Sequence, residues 1–196
     1  MGVVAILMAA GRGRRFDPAG QRNKLLQLLP SGEPVVVAGA RKLLAAMPRV
    51  VAVVPPQDGG VAALLAGLGC EVTVCAGADS GMAASLVHAL RYSLSDARHA
   101  PEAWLVALGD MPHVAPSTLA ALRDALAAGA PIVAPVHAGR RGNPVGFGRD
   151  HLDALLALQG DQGARRLLQA CPVREVAVQD PGIFLDIDTP ADLSMA

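Results

Sequence analysis

Aromatic residues are scarce: one Trp, one Tyr and three Phe in 196 residues, 3% of the chain. That excludes nucleic-acid binding by stacking bases on an aromatic platform. An excess of either charge is also missing. Lys plus Arg number 17 and Asp plus Glu 17, whereas a nucleic-acid-binding domain carries a clear basic surplus. No apolar run reaches the roughly 18 residues of a membrane span, so no membrane partner is expected. The apolar start Val3–Ala10 has no basic segment before it, which argues against a signal peptide. Ile6 stands where a myristoylation motif wants Ser or Thr. Cys70, Cys75 and Cys171 are an odd number without metal-ligand spacing, and a reduced, cytoplasmic setting is expected. The five histidines (His88, His99, His113, His137, His151) show no ligand spacing either and are expected on the surface or on helices. No Ser/His/Asp or Cys/His arrangement is readable, and no internal repeat is present.

What the chain has is aliphatic bulk: 52% of its residues are hydrophobic, enough for one domain over residues 1–196 with a sizeable core. Short apolar runs (Val3–Met8, Val50–Val54, Glu71–Cys75, Ala103–Leu108, Ile132–Val136 and Val173–Val178) alternate with segments of helical spacing. Those segments are Val35–Met47, Val61–Leu68, Gly81–Leu94 and Ser117–Ala128. Near-continuous apolar strands are what a parallel sheet covered on both faces requires. The alternation implies βαβ units and a three-layer α/β fold with a mostly parallel sheet. After Pro135 the rhythm changes. A turn-rich stretch leads into Val145–Phe147, then helical Asp150–Leu158 and Gly163–Ala170, read as an elaboration of the same domain. In such sheets ligands gather beyond the carboxyl ends of the strands.

The first such end is Ala9-Ala10-Gly11-Arg12-Gly13-Arg14-Arg15-Phe16, followed by Arg22 and Lys24. Small residues let the backbone approach a ligand, and the N–H groups of such a turn cradle phosphate. Five cations (Arg12, Arg14, Arg15, Arg22, Lys24) against one acid, Asp17, add an anion-attracting field. A solvated basic loop would share the composition, but phosphate binding is the better reading. Neither a dinucleotide fingerprint nor a P-loop is present.

Three further clusters stand out. Asp110, in Leu108-Gly109-Asp110-Met111-Pro112, follows an apolar strand; it either holds Mg²⁺ beside substrate phosphates or caps the next turn. In Phe184-Leu185-Asp186-Ile187-Asp188-Thr189-Pro190-Ala191-Asp192, alternation puts Asp186 and Asp188 on one side of an extended segment. Asp192 is explained by a capping box with Thr189 and Pro190. Gly81-Met82-Ala83-Ala84-Ser85-Leu86 opens a helix that Asp79 or Ser80 is expected to cap, and Ser85 on its own reads as an ordinary helix serine. Glycine-rich turns carry cations at Arg140, Arg141 and Arg165; they suit an anionic acceptor or a solvated loop equally.

In chain order these segments resemble the MobA-like nucleotidyltransferases, and Gly139–Pro144 and Gly160–Arg165 resemble the subfamily that acts on molybdenum cofactor. The resemblance implies a Rossmann-like nucleotidyltransferase fold in three α/β/α layers. It implies nucleotide binding by Ala9, Ala10, Gly11, Arg12, Gly13, Lys24 and Ser85, with Arg15, Lys24 and Asp110 catalytic. Asp110 and Asp188 would hold Mg²⁺. Arg141, Asn143, Asp161 and Arg165 would bind the acceptor, a pterin phosphate. Asp17–Asn23 make the loop between Arg15 and Lys24 longer than the family pattern. Ala10, where guanylyl relatives usually have Gly, points to CTP over GTP as substrate, because a missing methyl makes room for a purine. The expected reaction is therefore CMP transfer from Mg·CTP to molybdenum cofactor. The alternatives are GMP transfer to the same acceptor, a nicotinamide-dependent oxidoreductase on the same fold, and a chaperone carrying the cofactor to a molybdoenzyme.

Overall fold

The computed structural model describes residues 2–96, 100–160 and 164–194. In chain order the strands are β1 (Val3–Met8), β2 (Val50–Val54), β3 (Glu71–Val74), β4 (Ala103–Leu108), β5 (Ile132–His137), β6 (Arg140–Arg141), β7 (Val145–Gly148) and β8 (Arg174–Ala177). The α-helices are α1 (Val35–Ala46), α2 (Val61–Leu68), α3 (Met82–Ser93), α4 (Pro116–Ala127), α5 (Leu152–Leu156) and α6 (Arg165–Ala170). One sheet runs in the order β3-β2-β1-β4-β7-β5-β6, with β8 alongside β5. The pairs among β1 to β4 are parallel, as is β5 with β8. β7 is inserted antiparallel between β4 and β5, a reversal the apolar runs did not announce.

The sheet is covered on both faces, as near-continuous apolar strands demand. Alternate residues of β1 separate cleanly. Val3, Ala5 and Leu7 pack with α1, α2 and α4 on one side, and Val4 and Ile6 pack with α3 and α5 on the other. The three-layer α/β/α arrangement follows from that division. Trp104, fully buried in β4, donates its Nε1 hydrogen to Ser93 Oγ at 2.9 Å, which satisfies the indole's polar edge inside the second core.

Three local expectations are corrected. The helix expected over Asp150–Leu158 is a 3₁₀ turn, Arg149–His151, leading into the shorter α5. α6 begins at Arg165, and Gly163 lies outside the described residues. α3 is not capped by Asp79 or Ser80. Its N-cap is Gly81, at φ 113°, and Asp79 is drawn away into an ion pair with Arg12. Among the described residues no helix is long and apolar enough to cross a membrane.

Candidate functional site

β1 and β4 pair residue for residue, Met8 against Leu108, so their exits lie side by side at the carboxyl edge of the sheet. Gly109 N donates to Met8 O at 2.9 Å, and a Cβ on Gly109 would stand 3.0 Å from that oxygen. The glycine lets the two exits touch and brings Asp110 beside the loop that follows β1. Asp110 O in turn accepts from Ile187 N at 2.8 Å, which docks the Asp186–Asp188 segment onto the same edge. Three chain segments distant in sequence thus meet at one point.

Lys24 reaches that point through its longer loop because Asp17 organises the intervening residues. Asp17 is nearly covered, and its carboxylate accepts backbone N–H bonds from Ala19 at 3.1 Å, Gln21 at 2.9 Å and Arg22 at 2.7 Å. The bond from Arg22 is the main reason its pKa is held below the ordinary 3.8. Phe16 and Leu25 anchor the two ends of this loop in the core. Asn23 then caps the 3₁₀ turn Lys24–Leu26, its Oδ1 accepting from Leu25 N at 3.0 Å. Sequence reasoning counted Asp17 merely as the one acid in a basic loop. Its signal was Asp followed by Pro18 and Gly20, the composition of an Asx turn.

The Lys24 side chain, 10% exposed, donates from Nζ to Asp110 Oδ2 at 2.5 Å and to Asp188 Oδ1 at 3.3 Å. Arg15 donates to the other oxygen of Asp188. Asp110 therefore uses its side chain in an ion pair and not as a turn cap. Asp186 lines the same cleft. Burial raises its pKa, and the neighbouring carboxylates of Asp188 and Asp110 add to the rise. Asp192 has the structural task expected of it: its Oδ2 accepts from Asp188 N, Thr189 N and Thr189 Oγ1, which fixes the turn holding Asp188.

Cavities fan out from this cluster. One of about 300 Å³ contains Gly13, Arg15, Lys24, Asp110 and Asp188. A second, about 340 Å³, runs over Ala10, Gly11, Arg12 and Ser85. It joins a third of about 570 Å³ that includes Ala9 and ends at Pro55, Pro56 and Gln57. On the far side of Met82 lies a largely apolar cavity of about 490 Å³ with Arg141, Asn143 and Arg165 among its walls. Each expected site residue thus borders one or another of these neighbouring cavities, except Asp161, which lies outside the described residues. Arg141 is paired with Glu175 at 2.6 Å. Sequence reasoning missed Met82: half-exposed at the start of α3, it borders three of these cavities and has no signal beyond its place in the motif. It also missed that His113 sits in a loop with a buried Nε2 that has no hydrogen-bond partner among the described residues.

The sequence profile of the family described as MobA-like NTP transferase domain matches residues 5–176. The chain belongs to that family. It is a nucleotidyltransferase, with a nucleotide as its small-molecule substrate. Among solved structures, this MobA-like chain is similar to Rv0371c from Mycobacterium tuberculosis H37Rv at 29% identity. That match covers 98% of this chain and 96% of the other at a TM-score of 0.82. A complex of the mycobacterial protein with manganese is also known, at a TM-score of 0.76. A nucleotidyl transferase from Methanothermobacter thermautotroptrophicus is 25% identical over 97% of this chain and 94% of its own, at a TM-score of 0.77. At 24% identity, the Archaeoglobus fulgidus molybdopterin-guanine dinucleotide biosynthesis protein A shares the fold, with a TM-score of 0.68 over 97% and 94% of the chains. No curated protein matches this chain.

Nucleotidyltransferases of this family typically use a divalent metal. The donor set suits one. Asp110 and Asp188 offer hard carboxylate oxygens, and a cation, the Lys24 ammonium, already bridges them. Among the described residues no group of three or more His, Cys, Asp or Glu side chains is arranged to hold a metal unaided. Two carboxylates completed by substrate phosphates and water is the usual arrangement for Mg²⁺.

Proposed function

We propose that the protein, acting as one cytoplasmic domain, transfers CMP from CTP to the phosphate of molybdenum cofactor, yielding molybdopterin cytosine dinucleotide and pyrophosphate. The observation that carries this reading is the meeting of Lys24, Asp110 and Asp188 beside the Gly11–Arg15 loop. Such a cluster neutralises a triphosphate and leaves little need for a covalent nucleophile. Asp110 and Asp188 would hold Mg²⁺, which supplies charge neutralisation at the phosphates when bound.

An oxygen of the acceptor phosphate attacks the α-phosphorus of CTP. The new P–O bond forms as the bond from the α-phosphorus to the α,β-bridging oxygen breaks, and its electron pair leaves with pyrophosphate. Arg15 and Lys24 offset the charge that grows on this leaving group. Backbone N–H groups of the loop from Ala9 to Gly13 hold the triphosphate, with Arg12 beside it. Ser85, 3% exposed, borders the cavity read as the nucleotide's seat. Ala10, 7% exposed, borders it too; its methyl narrows the space there and favours cytosine over a purine. The apolar cavity suits the face of a flat pterin ring, with Arg141 and Arg165 for its phosphate and Asn143 for polar ring atoms. Asp161 is proposed as a further acceptor contact, and a molybdoenzyme as the recipient of the product.

The test is a thermal-shift screen with CTP, GTP, ATP and NAD(P)H, each with and without Mg²⁺, followed by a pyrophosphate-release assay with the pterin acceptor. A ligand at about a hundred times its dissociation constant stabilises a fold by roughly 2.7 kcal/mol, which is readily seen. Stabilisation by Mg·CTP with acceptor-dependent pyrophosphate release is the expected result. A response to Mg·GTP alone would keep the reaction and change the product. A response to NAD(P)H alone would sink the proposal.

A further inference from the structure

The cation on the carboxylate pair is the chain's own. Between them, Lys24 and Arg15 engage Asp110 Oδ2 and both oxygens of Asp188. The two cations differ in how easily they leave. The Arg15 side chain is 80% exposed, and water replaces its carboxylate at small cost. The Lys24 side chain is 10% exposed, so its ammonium leaves only toward another anion. Its stem is steadied against Gly13, where a Cβ would stand 3.4 Å from Lys24 Cγ. Gly13 belongs to the loop read above as the triphosphate's seat. The outer end of the lysine therefore lies between two anionic partners, the carboxylates and the incoming phosphates.

We propose that Lys24 gates the metal seat: its ammonium keeps a free divalent cation off Asp110 and Asp188 and releases them only when triphosphate binds beside it. Metal and nucleotide then enter together. The physical ground is that an ammonium and a divalent cation seated on the same two partly buried carboxylates repel each other. The inference rests on the reading of Asp110 and Asp188 as metal ligands and adds an order of binding to it.

The test is Mn²⁺ binding to the full chain, followed by the loss of the free-ion paramagnetic resonance signal, with and without CTP and without acceptor, each CTP arm read against a protein-free mixture of Mn²⁺ and CTP. The wild type should bind Mn²⁺ about tenfold or more weakly alone than with CTP. Lys24→Met should bind Mn²⁺ alone about tenfold or more tightly than the wild type. Lys24→Gln, which keeps a polar end and a folded core, should do the same, and thermal melting checks both variants for folding. Lys24→Arg keeps the charge and should resemble the wild type. Adding Asp110→Asn to Lys24→Met should abolish the gain. If the neutral variants bind Mn²⁺ no better than the wild type, while Asp110→Asn still weakens binding with CTP, the gate is overturned and the metal site stands. If Asp110→Asn leaves Mn²⁺ binding unchanged throughout, the metal reading falls and the gate with it.

Discussion

Replacing Asp110 with Asn exchanges one oxygen for an amide nitrogen and removes one negative charge without changing the side chain's shape. Among the described residues Lys24 then keeps one ion pair, with Asp188 at 3.3 Å. The affected side chains are 10% and 20% exposed, so the pair is neither fully buried nor on the surface. Removing one partner of a fully buried pair costs about 3–5 kcal/mol, and a surface pair is worth about 0–1 kcal/mol. With Asp188 still in place, a stability loss of about 1–2 kcal/mol is expected. For a domain of this size that lowers the melting temperature by roughly 2–8 °C, which leaves a folded protein at room temperature. The effect on turnover is larger. Removing one preorganised electrostatic contact from a reaction centre costs about 10²–10³ in rate. Pyrophosphatase-coupled detection of released pyrophosphate measures the rate, and circular dichroism melting measures the fold. A variant with near-normal turnover would remove Asp110 from the mechanism. A variant that no longer folds would make Asp110 a structural residue and refute the argument in the other direction.

Gly182→Ala should destabilise the chain by about 1–3 kcal/mol, because the new Cβ would stand 2.3 Å from His113 O and 2.5 Å from its carbonyl carbon, both backbone; an unchanged denaturation midpoint would contradict that. Asp17 has a lowered folded pKa, so its contribution is complete above the ordinary carboxylate value and is lost as pH falls through the folded one. Acid titration of thermal stability should accordingly be flatter in Asp17→Asn than in the wild type, and parallel curves would exclude the N–H ring as the cause. Burial pushes the Cys70 thiol up to about 11. Iodoacetamide should therefore label half-buried Cys171 well before Cys70, and equal labelling by mass spectrometry would refute it.

The parallel half of the fold was legible because β1, β2 and β4 are buried on both faces and read as uninterrupted apolar runs. The antiparallel part was harder. β6 has two residues and β7 four, too few for a period, and strand direction leaves no mark on composition. The site was legible as residues but not as pairs. Lys24, Asp110 and Asp188 stood out by type and position at strand exits. Which cation meets which carboxylate depends on contacts such as Asp110 O to Ile187 N, which join positions far apart in the chain. Asp79 shows the limit of local rules. It stands just before a helix, where capping is the usual role, yet Arg12 of the β1 loop takes it.

That pairing is one of a set, and the set balances the charge of so basic a loop. Arg12 meets Asp79, Arg15 meets Asp188, and Lys24 meets Asp110 and Asp188. Each carboxylate comes from a different exit at the sheet's carboxyl edge: after β3, after β4, or from the segment docked onto Asp110. The loop is therefore held by the walls of the cleft it lines. Its cations are neutralised by groups able to give them up to a stronger anion. The pairs differ in exposure, with Arg12 at 51% and Arg15 at 80% against Lys24 at 10%. Exposed pairs exchange partners at little cost, so on the proposed reading the two arginines would meet an arriving triphosphate first. The buried lysine follows, because leaving its carboxylates is favourable only once phosphate oxygens are close enough to replace them. If the loop seats the triphosphate as proposed, this gradient of burial would order the exchange of partners, arginines before lysine.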